Sequence, residues 1–160
     1  MKTITLTEKD FKDGIYCGKE DLSNIEGNLE IEKGGWCRFE GGISAEGDIS
    51  AEGGIYAEGD ISAKGGIYAK GGILKSGYGI TAGLKIFAKT TISATMRIFA
   101  GTASWSWVGD EEKKIECGKL ESGTIAYGTL IENGLPDEQK IGKKVKIKVA
   151  DGQIIEGEII

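Results

Sequence analysis

Residues 41–76 read GGISAE GDISAE GGIYAE GDISAK GGIYAK GGILKS, six consecutive units with a period of six. The first apolar position of each unit falls on Ile43, Ile49, Ile55, Ile61, Ile67 and Ile73. It extends backwards through Cys37, Ile31 and Ile25. With one residue inserted around Lys75–Gly79, the period resumes at Ile80, Ile86, Ile92 and Ile98, giving thirteen hexads. Two residues after most of these comes a small one: Ala45, Ala51, Ala57, Ala63 and Ala69, then Ala82, Ala88, Ala94 and Ala100. Alternation within a unit places Ile and Ala on one side of a short strand and Ser/Tyr and Glu/Lys on the other.

A helix needs a 3.6-residue period, and a glycine in every unit would cost it about 1 kcal/mol each. A flat antiparallel sheet needs a hairpin turn every few residues, and Glu-Gly-Asp is a poor one. The remaining solution is an all-β fold, a parallel three-sided β-solenoid with about 18 residues per coil and therefore about four coils. Gly41, Gly47, Gly53, Gly59, Gly65, Gly71 and Gly77 are expected at its corners, in conformations that other residues resist. Residues 18 apart should stack, setting Glu46 beside Lys64 and Glu52 beside Lys70. Early coils should be acidic and late ones basic. Tyr68 and Phe87 are expected side by side on one outer face, Tyr56 and Leu74 on the next.

Both ends of a solenoid expose unpaired backbone and must be covered. Residues 1–24 read as an N-terminal cap, with Ile4 and Leu6 alternating with Thr and a capping-box pattern at Thr7-Glu-Lys-Asp10. The hexad region spans 25–108. Residues 109–160 read as a C-terminal antiparallel β-unit that caps the solenoid or mediates association. Its strand-like runs are 114–120, 124–132, 143–150 and 153–160, with Asp151-Gly152 a strong hairpin signal. Trp105 and Trp107 are expected in the end-cap core.

Composition narrows function. The chain of 160 residues has no His, which removes Ser-His-Asp triads and imidazole metal ligands. Twenty Lys and Arg against 25 Asp and Glu give a net charge of −5, so direct nucleic-acid binding is not expected. Cys17, Cys37 and Cys117 match neither a disulfide framework nor a zinc site and read as reduced thiols in a cytoplasmic protein. No signal sequence or membrane span is apparent. The glycines of 71–79 do not make a phosphate loop. Glu46, Glu52 and Glu58, with Asp48 and Asp60, lie on a convex surface where carboxyls do not converge as acid–base chemistry requires. The small residue follows the aliphatic one by two positions, unlike the hexapeptide acyltransferase pattern. Outward Thr is too sparse for ice binding.

No catalytic residue, cofactor or metal is therefore expected. Function should come from contact, by a non-catalytic binding or scaffold protein. The candidate partner-binding residues are the outward Tyr56, Tyr68, Leu74, Phe87 and Phe99, together with Glu40, Glu46, Glu52 and Glu58. The partner is expected to be a protein, a nucleic-acid-handling host protein being one candidate, and self-association is expected as well.

The units Gly47-Asp48-Ile49-Ser50-Ala51 and Gly59-Asp60-Ile61-Ser62-Ala63 resemble those of bactofilins, cytoskeletal β-helices, over roughly residues 25–100. That resemblance implies polymer formation. Met96-Arg-Ile-Phe-Ala-Gly101, with Cys117-Gly-Lys-Leu120 and 122–130, resembles solenoid proteins of phage and other mobile elements. It implies a phage protein, with inhibition of a bacterial defence nuclease through stacked carboxylates as an anti-CRISPR-like alternative. Neither resemblance carries a catalytic residue.

Overall fold

The computed structural model describes residues 2–104 and 108–134, together with the backbone of 144–148 and 154–158. Short parallel strands coil into a three-sided prism of about six turns. The first face stacks Lys2–Leu6, Gly27–Ile31, Ile49–Ala51, Ile67–Ala69, Ile86–Ala88, Lys114–Cys117 and Thr129–Glu132. The second stacks Trp36–Phe39, Gly54–Ala57, Leu74–Ser76 and the start of Thr91–Phe99. The third stacks Ile43–Ala45, Ile61–Ala63, Ile80–Ala82 and the end of Thr91–Phe99. Lys119–Tyr127 then crosses from the second face to the third, paired in parallel beneath Thr91–Phe99.

The solenoid is thus longer than the four coils expected, because residues 114–132 continue it. Their ladders run Ile86–Ile115–Leu130 and Ile98–Ile125, in parallel, where antiparallel strands were expected. Ile115 and Cys117 repeat the inward Ile/small pair without the hexad glycine, and adding them to an open parallel edge satisfies its backbone. Antiparallel pairing is found further on, where Lys144–Lys148 pairs with Ile154–Glu158. The expected roles of Trp105, Trp107 and the Asp151-Gly152 turn lie outside the described residues.

Inside, the Ile register forms continuous columns. On the first face Leu29, Ile49, Ile67, Ile86 and Ile115 lie one above another, each no more than 1% exposed. The alanines fill the second inward position of the middle coils, and the larger Ile25, Ile31 and Phe39 take it towards the N-terminal end. Full burial of one such aliphatic side chain stabilises the fold by about 1.5–3 kcal/mol.

Three expectations are corrected. The inserted residue falls between Ala69 and Leu74, and it is Leu74, not Ile73, that enters the core. Leu74 pairs with Ile55 and is fully buried, while Ile73 is 46% exposed. Burying Ile73 would have turned Lys75 inward, where a charge has no partner. The observed register turns Lys75 out and Ser76 in. The Ser76 hydroxyl donates towards the carbonyls of Gly59 and Gly79 and accepts from the Tyr78 N–H. Secondly, Ile25 and Ile31 occupy the alanine position of their units, opposite Ala45 and Ala51, and Leu29 takes the isoleucine position. Thirdly, the hexad glycines are not left-handed. Positive φ occurs at Asp13 and at Gly14, Gly35, Gly101, Gly123, Gly128 and Gly134 instead. At Gly53 the reason for glycine is space: a Cβ there would overlap the Gly35 carbonyl of the preceding coil.

Residues 2–24 both cap and join the solenoid. Lys2–Leu6 is the first rung of the first face. The Thr7 N–H donates to the Asp10 carboxylate at 2.7 Å, starting a single 3-10 turn at Glu8–Asp10. Phe11–Lys12 and Ile15–Tyr16 then fold back on each other through Asp13-Gly14, both with positive φ, as a two-residue hairpin turn requires. The rings of Phe11, Tyr16 and Phe39 meet with centroids 5.6–5.8 Å apart and plug this end of the core. No helix among the described residues is long and apolar enough to cross a membrane.

Candidate functional site

With the interior filled, side chains available for chemistry or contact are the outward ones and those at the corners. The corner aspartates are occupied by the fold. The Asn28 side-chain oxygen accepts the Asp48 N–H, Asp48 accepts the Gly66 N–H at 2.6 Å, and Asp60 accepts the Gly79 N–H at 2.8 Å. Each reaches across to the next coil and satisfies an amide that no strand partner takes.

The four candidate glutamates are not on a common face. Glu46, Glu52 and Glu58 stand at three different corners, each in an ion pair: Glu46 with Lys64 at 2.5 Å, Glu52 with Lys70 at 3.3 Å, and Glu58 with Arg38. The first two pairs are those expected from 18-residue stacking. Such exposed pairs are worth about 0–1 kcal/mol each, enough to bias coil register and little more. Glu40 shares a corner with Glu58 and forms no ion pair among the described residues. A single acidic stack therefore does not form.

The candidate aromatics also separate. Tyr68 and Phe87 are adjacent on the first face, as expected, between Ser50 and Glu116. Both are half-buried. The Tyr68 ring lies down over Gly66, and burial, with Asp48 nearby, pushes its phenol above the usual range. On the second face Tyr56 is held between two cations, Arg38 at 5.5 Å and Lys75 at 5.1 Å from its ring centroid. Its neighbour on the next coil is Lys75; Leu74, expected there, is in the core. On the third face Phe99 continues the outward column Ser44, Ser62, Thr81, with Tyr127 beyond it.

The most exposed large apolar side chains are all absent from the sequence-based candidates: Met96 at 57%, Trp36 at 56%, Tyr78 at 55%, and Tyr127 and Ile73 at 46%. Tyr78 and Met96 sit one above the other where the second face turns into the third, the Met96 N–H donating to the Tyr78 carbonyl. Beside them lie shallow depressions. One of about 510 Å3 is bounded by Met96, Arg97, Phe99, Thr81, Gly79 and Asp60. The next, of about 460 Å3, shares Asp60 and runs past Tyr78 to Ser44 and Ser23. A third, of about 310 Å3, continues from Ser23 to Tyr16 and Glu20. Together they follow this corner along the prism. Trp36 and Ile73 are exposed at the turn from the first face to the second, on the coils either side of Gly54.

Sequence reasoning missed Tyr78 and Met96 because both lie outside the strand alternation, at corners where a fixed outward position is not defined. The usable signal was the loss of the corner glycine pair there: Ser-Gly-Tyr-Gly and Ala-Thr-Met-Arg replace the GG and GD of earlier units.

Among the described residues no cluster of three or more His, Cys, Asp or Glu could hold a metal ion. Cys37 and Cys117 are buried in the core columns, and burial raises both thiols to about 11; Cys17 is exposed. An aromatic disulfide reagent at mildly alkaline pH is expected to titrate one thiol per chain rapidly and all three only after denaturation. Three fast thiols would place Cys37 and Cys117 at the surface. Because the folded state holds these two protons more tightly than the unfolded one, their stabilisation is complete below about pH 9. It falls as pH rises towards 11, by about 1.4 kcal/mol per unit for each thiol.

Comparison of the chain with protein-family models, with curated proteins and with solved structures returns no match in any of the three.

Proposed function

We propose that this chain is a non-catalytic binding protein whose contact surface is the corner carrying Tyr78 and Met96, with Phe99 and Tyr127 on the adjoining face. The observation that carries this reading is the exposure of Tyr78, Met96 and Tyr127, with half-buried Phe99 among them, on a ladder-braced backbone. A rigid scaffold loses little conformational entropy on docking. Tyrosine supplies a large anchoring surface, and methionine adapts to the partner's shape. The partner is a protein, since the surface offers apolar area edged by single charges and lacks the basic tract that nucleic acid requires.

Phage or mobile-element origin and inhibition of a defence nuclease rest on sequence resemblance alone. The nuclease version is weakened by the dispersal of its carboxylates into ion pairs. Bactofilin-like polymerisation is disfavoured by the aromatic plug over the N-terminal coil.

The test is photo-crosslinking in the cells that make the protein, with Tyr78→p-benzoylphenylalanine and, as a control on another corner, Lys89→p-benzoylphenylalanine. A polypeptide adduct at position 78, absent or several-fold weaker at 89, is expected. No adduct at 78 overturns the assignment of this surface.

A further inference from the structure

Resting on that reading, we infer that the occupant of the Tyr78–Met96 corner is a second copy of this chain, packed antiparallel about a two-fold axis. The order of residues along this corner points to it. From the first coil to the fifth it carries Glu20 and Asp21, then Glu40, then Glu58 with Asp60, then Tyr78, and finally Met96 with Arg97. All of these are exposed except Glu58, which is half-buried in its pair with Arg38. Among the described residues neither Glu40 nor Arg97 has an ion-pair partner, whereas the charged side chains Glu46, Glu52 and Glu58 on the same coils do. The corner therefore runs from carboxylates at one end to Arg97 at the other, with Tyr78 between and Met96 beside Arg97.

Side-by-side pairing in the same direction would set Glu40 against Glu40 and Arg97 against Arg97. Antiparallel pairing converts both repulsions into attractions. Glu40 and Arg97 are three coils apart, about 14 Å at the spacing of paired strands. A two-fold axis midway between them passes between the Asp60 and Tyr78 levels. Each Arg97 then meets Glu40 of the second copy, twice by symmetry, with the two Tyr78 side chains between the pairs and each Met96 beside its own Arg97.

The test is the mass of the full-length protein by sedimentation equilibrium at roughly 100 µM, a concentration that populates a complex of micromolar affinity. Wild type is expected at twice the chain mass. Tyr78→Ser with Met96→Ser, Arg97→Glu alone, and Glu40→Lys alone are each expected to fall in mass towards the monomer, the dimer weakened at least about a thousandfold, with melting curves unchanged at concentrations low enough for wild type to be monomeric as well. The decisive sample is an equimolar mixture of the Arg97→Glu and Glu40→Lys proteins. Only an antiparallel dimer gives that mixture two attractive pairs, so it should regain the dimer mass. A monomeric wild type, a dimer indifferent to these substitutions, or a mixture that stays monomeric overturns the inference. An adduct at position 78 with a different polypeptide, from a monomeric protein, overturns the second copy while leaving the binding surface in place; absence of any adduct removes both.

Discussion

Ile67→Asp is expected to leave no folded protein. Ile67 is fully buried midway along the first face, between Ile49 and Ile86, in a core whose same coil also buries Leu74 and Ile80. An aspartate there would meet no donor, so it would be buried as an unpaired charge or forced neutral. Either outcome costs several kcal/mol, against a total stability of about 5–15 kcal/mol for an ordinary domain. The graded series should follow the lost volume. Ile67→Val is expected to cost about 0.5–1.5 kcal/mol and Ile67→Ala about 2–5 kcal/mol. Urea unfolding at constant m checks the series. An Ile67→Asp protein as stable as wild type would mean that this column does not face inward.

The second large effect belongs to the corners. Gly53→Ala and Gly41→Ala change the same residue type at equivalent places in the hexad, yet only one should matter. An added Cβ at Gly53 would fall on the Gly35 carbonyl oxygen, at bonding rather than van der Waals distance, and backbone cannot move aside without parting two coils. At Gly41 nothing lies within 4 Å of the new atom. The expected loss at Gly53 is several kcal/mol, in the range of severe overpacking, and at Gly41 it stays within about half a kcal/mol. Thermal melting of the pair is a direct check. Equal effects would return the glycines to a role in backbone conformation.

That contrast shows what the sequence could and could not convey. The Ile/Ala alternation specifies strands, their inward side and the 18-residue coil, because a narrow closed interior accepts only that pattern. The Glu46–Lys64 and Glu52–Lys70 pairs followed from the coil length alone. The Leu74 register was also legible, through Lys75: taking Ile73 inward obliges a lysine to follow it two residues later. Likewise Asp13-Gly14 is as good a hairpin signal as Asp151-Gly152. The continuation through 114–132 was harder to see, since Ile115/Cys117 keep the inward spacing while losing the glycine that marks it, and an irregularity after Ile125 turns Tyr127 outward. The surface was least legible. Whether an outward ring stands free or lies against a neighbour depends on what the adjacent coils supply, so Tyr56 and Tyr68 proved engaged while Tyr78 and Met96 proved open.

The central claim is that residues 27–132 form one continuous parallel ladder, closed inside and available only through its outer surface. Residue-resolved amide hydrogen exchange tests it most directly. Ile49 donates to the Gly66 carbonyl and Ile67 to that of Lys85, and Thr129 and Asn133 donate to Lys113 and Cys117 in the same manner. The account predicts slow exchange at Ile49, Ile67, Ile86 and Ile115, with comparable opening free energies. Exchange of 114–117 at loop-like rates while the earlier coils stay protected would contradict it.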